Sequence, residues 1–233
     1  MRSGQCLHLC RTAAGAASGK CRRSLFHNTT NVFLAAAHCT SDLGDETVWV
    51  SFDSDVDPVT TTTELYSGKA VTHPDYNQRQ SNPADLAVVL LDQPIKKIQP
   101  AQLPEAGLFD RMGDHDGMKG QPFTAVGYGV HAPVNQPGGP TFPYDGERWK
   151  SVSQFEALND SWLRLSQNDA TGDGGTCYGD SGGPNFLGSG PEETDIIAGV
   201  TVTGDAMCKS TNTIYRLDIP TAREFLSQFV ELP

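Results

Sequence analysis

Three short stretches of this sequence carry side chains that could act together in catalysis. His38 follows three alanines and precedes a cysteine, and Asp85 stands at the start of an apolar stretch over 86–91. Ser181 lies within the run Gly-Asp-Ser-Gly-Gly-Pro at 179–184. Each stretch alone has an ordinary structural explanation. Together, in the order His, Asp, Ser, they match a general base, the carboxylate that orients it, and a nucleophile.

The chemistry requires these residue types. A serine hydroxyl is a weak nucleophile until a neighbouring imidazole accepts its proton. The imidazole needs a carboxylate on its other nitrogen, which fixes the tautomer and stabilises the imidazolium. The negative oxygen of the tetrahedral intermediate needs two aimed backbone N–H groups, and Gly179 and Ser181 are the candidates, since glycine tolerates unusual backbone angles.

The position of the histidines decides between this arrangement and two others. Gly179-x-Ser181-x-Gly183 also fits the nucleophile elbow of α/β-hydrolases, but that fold places its histidine after the serine. Every histidine in this chain precedes Ser181, so the elbow is excluded. The Asp-His-Ser order of subtilisin could be met by Asp42 and His73, but nothing in the surrounding sequence supports that choice.

The elements that must position these residues are mostly short strands. β-branched and apolar stretches between turn residues predict strands at 48–52, 86–91, 123–126, 196–202 and 214–217. Helices are predicted at 153–163 and at 221–230, where Thr221 and Glu224 form a capping-box pattern ahead of an apolar face. We therefore expect an all-β barrel or sandwich with a C-terminal helix, and a connection at 93–118 between two β halves.

Composition excludes several classes of partner. The net charge of −11 argues against nucleic acid, and apolar runs of about six residues are far too short to cross a membrane. The six cysteines lack zinc-finger spacing, so we expect no metal and no other cofactor. Asp53, Asp55 and Asp57 alternate, but without the glycine and glutamate of a calcium loop they indicate a solvated loop.

From Cys21 to its last residue the chain resembles the chymotrypsin/trypsin family of serine proteases. The resemblance rests on Ala-Ala-His-Cys at 36–39, Asp-Leu-Ala-Val at 85–88, Gly-Tyr-Gly at 127–129, Cys-Tyr-Gly-Asp-Ser-Gly-Gly-Pro at 177–184 and the terminal helix. It implies two packed six-stranded antiparallel β-barrels with the site between them. It also implies an atypical segment at 1–20 and a protease domain at 21–233, with barrels at about 21–110 and 119–233.

The same resemblance implies disulfides and a substrate pocket. Cys21 would pair with Cys39, and Cys177 with Cys208, while Cys6 and Cys10 have no counterpart. The pocket for the residue before the scissile bond would be lined by Gly175, Thr176, Thr201, Thr203 and Thr213. Because Gly175 stands where trypsin-like enzymes carry a carboxylate, the pattern is similar to elastase and predicts small to medium apolar residues. Asp173 and Asp205 are close enough in sequence to leave a basic preference open.

The beginning of the sequence departs from the family. Active members start with Ile or Val, whose free amine pairs with the carboxylate before the nucleophile, here Asp180. Residues 1–20 contain no Ile or Val. We expect that the true start is missing. The alternatives are a zymogen-like site, or another cation paired with Asp180, such as the Met1 amine or one of Arg11, Lys20, Arg22 and Arg23.

These expectations combine into one functional prediction. The chain is expected to be a secreted, monomeric serine endopeptidase in which His38 is the base, Asp85 the orienting group and Ser181 the nucleophile. Its partners would be polypeptide substrates and protein protease inhibitors, with no nucleic acid and no membrane. The alternative is a catalytically impaired homologue that acts as a binding or regulatory module.

Overall fold

The computed structural model describes residues 10–13, 16–17, 25–26, 29–96 and 98–233. The first seven strands form one antiparallel sheet in the order β2-β1-β5-β6-β7-β4-β3. Their bounds are β1 Cys10–Ala13, β2 Ala16–Ala17, β3 Leu25–Phe26, β4 Thr29–Ala35, β5 Thr47–Ser51, β6 Leu65–Thr72 and β7 Ala87–Leu91.

The second half of the chain forms a closed antiparallel barrel of six strands in the order β11-β12-β15-β14-β13-β8. A separate hairpin, β9 and β10, projects from it. The bounds are β8 Pro122–Gly127, β9 Val134–Gln136, β10 Gly139–Thr141, β11 Trp149–Leu158, β12 Trp162–Ser166, β13 Pro184–Leu187, β14 Ile197–Gly204 and β15 Thr211–Arg216. The predicted all-β class is confirmed, and each of the five predicted strands coincides with an observed one to within a few residues.

One predicted helix is wrong. Residues 153–163 form the end of β11, a turn and the start of β12, which pair with Phe155 opposite Leu165. Leu163 and Leu165 are fully buried in the barrel interior. The apolar residues here are spaced for alternate faces of a hairpin, and burial against neighbouring strands decides between that pattern and a weak helical one.

The C-terminal helix is confirmed, but it is shorter than predicted and starts differently. α2 spans Pro220–Leu226, with Ile219 as its N-cap and no side-chain cap. The predicted capping box of Thr221 and Glu224 is therefore not formed, because proline takes the first helical position. The Thr221 hydroxyl instead accepts a hydrogen bond of 3.0 Å from the Asn82 side chain.

The connection between the two halves contains the short helix α1, Leu108–Gly113, which the sequence did not indicate. A hydrophobic cluster joins both halves across this connection. It combines strand residues of the first sheet with barrel and α2 residues, among them Val32, Leu34, Val88, Val200, Tyr215, Leu217 and Phe225. This shared core holds the first sheet against the barrel. Within the described residues, no helix is long and apolar enough to traverse a membrane.

Candidate active site

His38 lies in a short 3-10 turn, Ala37–Cys39, directly after β4. The three alanines before it are fully buried, so the chain can pass closely under its neighbours at this point. The imidazole is partly exposed, with 24% of its side-chain surface accessible. One face of His38 is thus held by the core while another remains open to a ligand.

Strand pairing brings Asp85 to His38. β4 and β7 are antiparallel neighbours, and their register ends with Ala35 opposite Ala87. The residues just after β4 and just before β7 therefore meet at the same edge of the sheet. Asp85 Oδ2 lies 2.7 Å from His38 Nδ1, and Asp85 Oδ1 accepts the His38 backbone N–H at 2.9 Å. Both oxygens of this buried carboxylate are used to hold one histidine.

Two tyrosines lie within the electrostatic influence of Asp85, and sequence reasoning did not assign them to the site. Burial raises the pKa of Tyr215, and the nearby charge of Asp85 raises it further. Tyr76 shows the same direction of pKa shift with the same two causes. The Tyr215 hydroxyl donates to Asn82 Oδ1 at 2.8 Å. The ionised Asp85 thus favours the neutral form of both phenols, and no motif in the sequence signals this.

Ser181 is carried by a tight loop that leads into β13. The amides of Gly182 and Gly183 donate to Thr201 O and Asp180 O, which fixes the loop on both sides of the serine. The Ser181 carbonyl oxygen lies 3.9 Å from Cys39 Sγ, so the serine main chain meets the residue after His38. Among the described residues the Ser181 hydroxyl forms no hydrogen bond, and its bond to His38 is not closed in this structure.

The loop also presents two unengaged N–H groups. Among the described residues, neither the Gly179 amide nor the Ser181 amide donates to a protein acceptor. Gly179 has φ +96°, a left-handed conformation that L side chains rarely adopt. It lies within the turn closed by the Asp180 N–H to Cys177 O bond at 3.0 Å. Two free donors beside a serine hydroxyl form a site suited to a negative oxygen.

Asp180 is 93% buried beneath this loop. Its Oδ1 accepts the Gly129 amide at 2.7 Å, and its Oδ2 accepts the Cys177 amide at 2.8 Å. A Cβ at Gly129 would lie 2.4 Å from Asp180 Oδ1, so only glycine fits there. A cavity of about 220 Å³ adjoins the carboxylate and is lined by residues that include His131, Trp149, Gln167, Gly174 and Gly175.

One predicted disulfide is present and the other is partly described. Cys177 and Cys208 are bonded, with a Cα–Cα distance of 5.3 Å, which joins the serine loop to the connection after β14. Cys39 is also disulfide-bonded. Its predicted partner Cys21 lies outside the described residues, as does Cys6. The cations proposed to pair with Asp180 also lie outside them, namely the Met1 amine and the side chains of Arg11, Lys20, Arg22 and Arg23.

The predicted pocket residues lie on three segments, which are the loop at 175–176 and the strands β14 and β15. Gly175 O accepts the Ser151 hydroxyl at 2.7 Å, and the buried Thr176 follows it. Thr203 and Thr213 are cross-strand partners on β14 and β15. Thr201 is buried, and its hydroxyl accepts a hydrogen bond of 2.9 Å from Asn185. Sequence reasoning missed Asn185, which belongs to a buried polar group with Asn212 inside the barrel.

Asp173 and Asp205, the two carboxylates that could have bound a basic substrate residue, both accept hydrogen bonds from groups near them. Asp173 Oδ2 accepts the hydroxyls of Ser166 at 2.7 Å and Thr171 at 2.8 Å. Asp205 accepts several backbone amides of its own loop and the side chain of Gln167. Among the described residues, no group of three or more His, Cys, Asp and Glu side chains could hold a metal ion.

Comparison with known proteins adds two findings. The family model described as Trypsin matches residues 16–223. A solved structure of HL collagenase superposes with a TM-score of 0.63, covering 88% of this chain and 84% of that one at 17% identity. At that identity the likeness concerns the fold alone. None of the curated protein sequences matches this chain.

Proposed function

Because this chain belongs to the trypsin family, we propose that it is a serine endopeptidase that works through His38, Asp85 and Ser181. The observation that carries the proposal is the double contact of Asp85 with His38, at 2.7 Å to Nδ1 and 2.9 Å to the backbone N–H. It leaves His38 Nε2 free to serve the serine. Polypeptides are the substrates that the family implies, and we propose secretion and a monomeric state.

In the proposed reaction His38 Nε2 takes the proton of Ser181 as Oγ attacks the scissile carbonyl carbon. Asp85 holds the imidazole in the tautomer with its proton on Nδ1 and stabilises the imidazolium that forms. The carbonyl oxygen becomes negative and accepts the Gly179 and Ser181 amides. His38 then gives its proton to the leaving amine, and water attacks the acyl-enzyme by the same route.

The serine must approach the imidazole for this step. In the free structure the Ser181 hydroxyl is not hydrogen-bonded among the described residues, and catalytic contacts often tighten only when substrate binds. Rotation of the Ser181 side chain is the movement we propose for closing the contact, since the Ser181 main chain already lies beside Cys39.

Asp180 is proposed as the carboxylate that organises the loop of the oxyanion donors. It receives the Gly129 and Cys177 amides and adjoins the cavity of about 220 Å³. We propose that the domain does not start at residue 21 but includes β1 and β2, which pair into the first sheet. It would extend to the end of the chain, with the first sheet up to about residue 110 and the closed barrel at about 119–233.

For specificity we propose a preference for small to medium apolar residues before the scissile bond. Gly175 provides no carboxylate, while Thr203 and Thr213 take up space along the two strands expected to form the pocket walls. Thr176 and Thr201 complete the proposed pocket. The local engagement of Asp173 and Asp205 supports a pocket that offers no free charge for Lys or Arg.

A fluorophosphonate that reacts with activated serines tests the function directly. The purified chain should be labelled at Ser181 and should hydrolyse small peptide esters, whereas Ser181→Ala should do neither. Ser189→Ala, a change of the same size at another loop serine, should label like the wild type. A folded wild-type chain that stays unlabelled would favour the alternative, a protease homologue that acts as a binding or regulatory module. The absence of a hydrogen bond from the Ser181 hydroxyl among the described residues would be consistent with that alternative.

A further inference from the structure

We propose that Gln167 closes the base of the substrate pocket and thereby restricts it to small, uncharged side chains. The proposal rests on the proposed function, which assigns Gly175 to the pocket floor. Gln167 follows β12 directly, and its side chain is 1% exposed. No sequence pattern points to it, because a single glutamine after an apolar strand is unremarkable.

The first argument is steric. A Cβ placed on Gly175 would lie 1.7 Å from Gln167 Oε1, 2.4 Å from its Cβ and 2.6 Å from its Cδ. All three distances are far below van der Waals contact. The space that a side chain at position 175 would occupy is therefore already filled by Gln167. The absence of a side chain on the floor does not deepen the pocket, since another residue fills the gap.

The second argument is that this filling is fixed in place. Gln167 Oε1 accepts the Thr176 amide at 2.9 Å. Its Nε2 donates to Asp205 Oδ1 and to Thr211 O, both at 3.2 Å. Both side-chain N–H groups are used, so the amide bridges the floor at 175–176 and the connection between β14 and β15. A side chain held at both ends cannot swing away to admit a larger substrate residue.

The third argument concerns charge. Behind Gln167 stands Asp205, which could in principle attract a Lys or Arg side chain. Its Oδ1 accepts the amides of Ser210 at 2.7 Å and Thr211 at 3.0 Å besides Gln167, and its Oδ2 accepts the Met207 amide at 3.1 Å. The carboxylate is saturated and screened by the neutral amide in front of it. A basic substrate residue would thus lose its water without gaining a partner.

The experiment compares kcat/KM for peptide substrates that differ only in the residue before the scissile bond, with Ala, Val, Leu, Phe and Arg. In the wild type, Ala and Val should be cleaved fastest. In Gln167→Ala the Phe-to-Ala ratio of kcat/KM should rise about tenfold or more, the range expected for opening room in an apolar pocket. Gln228→Ala, the same change at an exposed glutamine after α2, should leave the ratio unchanged.

Gln167→Asn is the second variant, because it keeps the amide and shortens the side chain by one methylene. It should shift the ratio in the same direction by a smaller factor. If a folded variant that still labels at Ser181 keeps the wild-type ratio within about twofold, the inference is wrong and the proposed function stands. If the folded wild type neither labels nor hydrolyses, both proposals fail.

A substitution at Gly175 tests the steric argument without any substrate. Gly175→Ala should melt several degrees below the wild type, because its Cβ collides with Gln167. On the Gln167→Ala background the same substitution should cost less, because the contacts with Oε1 and Cδ are gone and only the 2.4 Å contact with the Cβ of residue 167 remains. A Gly175→Ala protein as stable as the wild type would mean that Gln167 does not fill this space, which would overturn the inference whatever the enzymatic result.

Discussion

At the scale of single residues, the site depends on the two carboxylate oxygens of Asp85, each of which contacts a different group of His38. One holds the imidazole at Nδ1 and the other holds the backbone N–H of the same residue, His38. The ring and the main chain are thus fixed together, which leaves the imidazole little freedom to turn. The carboxylate is 4% exposed, so the contact acts in a low dielectric, where charge-assisted hydrogen bonds are strong.

Asp85→Asn should leave the fold intact and lower kcat by about 10⁴-fold, because an amide stabilises the wrong imidazole tautomer and no imidazolium. Steady-state hydrolysis of a peptide ester measures the effect, with the melting temperature as the test of folding. Asp92→Asn changes an exposed carboxylate that contacts Ser67 and should retain wild-type activity. A folded Asp85→Asn variant with activity within about tenfold of the wild type would exclude this role for Asp85.

The sequence could predict these residues because His38, Asp85 and Ser181 each lie in a specific local run. It could not predict Gln167, Tyr76 or Asn185, since their effect depends only on what surrounds them. Gln167 matters because its side chain reaches Gly175 and Asp205 at once. Contacts between segments that are far apart in the chain produce no recognisable pattern in the residues next to them.

At the scale of elements, the connection between β14 and β15 depends on one carboxylate. Burial alone would raise the pKa of Asp205, but the amides of Thr211, Ser210 and Lys209 and the side chain of Gln167 outweigh it and hold the pKa at about 2. The ionised form is therefore favoured in the folded loop. This connection carries Cys208, whose disulfide to Cys177 ties it to the serine loop.

Asp205→Asn should destabilise the protein at neutral pH, because it replaces a carboxylate with an amide that presents N–H groups to N–H donors. The folded pKa lies below the ordinary value, so the contribution of Asp205 is fully present above about pH 4 and is lost as the pH falls toward about 2. Urea unfolding of wild type and variant should accordingly show a stability gap that is constant above pH 4.

Below about pH 4 the difference in free energy of unfolding between wild type and Asp205→Asn should narrow steadily as the pH falls. Asp160→Asn, at an exposed turn before β12, should show no gap at any pH. A gap between wild type and Asp205→Asn that widens as the pH falls would contradict the assignment, since it would require the pKa of Asp205 to be raised by folding.

Strands were easier to predict than helices in this chain for a physical reason. A buried strand such as β7 is a short, continuous apolar run, which the sequence shows directly. In 153–163 the apolar spacing fits a helix and a hairpin almost equally, and only the pairing of β11 with both β8 and β12 decides it. The start of α2 was misplaced because Pro220 competes with the capping pattern behind it.

At the scale of the whole molecule, polar contacts reinforce the shared core between the first sheet and the barrel. The Tyr128 hydroxyl donates to Asp53 O at 2.6 Å, and Trp162 Nε1 donates to Gln80 O at 2.8 Å. The Arg148 guanidinium donates to Phe52 O at 2.7 Å. These contacts attach barrel side chains to the backbone of the first half, so the edge with His38 and Asp85 is held opposite the loop of Ser181.

A buried arginine joins the barrel to the connecting helix α1. Arg216 is 1% exposed and donates through Nε and Nη2 to the two oxygens of Asp218, each at 2.9 Å. Its Nη2 also lies 2.9 Å from Asp110 of α1. Asp218 Oδ2 in turn accepts the Phe109 amide at 2.9 Å. One ion pair thus connects β15, α1 and the segment before α2.

Asp218→Ala should lower the free energy of unfolding by about 3–5 kcal/mol, because it leaves the guanidinium buried without its main partner. Asp110→Ala removes the more exposed partner and should cost less than about 1 kcal/mol. Urea unfolding measures both values. Equal costs for the two substitutions would show that burial does not control the strength of this ion pair.

The sequence by itself determined the fold class and the catalytic candidates, because each depends on local runs: alternating apolar strands, Ala-Ala-His-Cys, and the glycines around Ser181. The disulfide between Cys177 and Cys208 was expected only from the family resemblance. Only the tertiary structure decided the register of Ala35 with Ala87 that brings Asp85 to His38, and the contact of Gln167 with Gly175. Those features arise from packing between segments far apart in the chain, and packing energies belong to the folded arrangement rather than to any one segment.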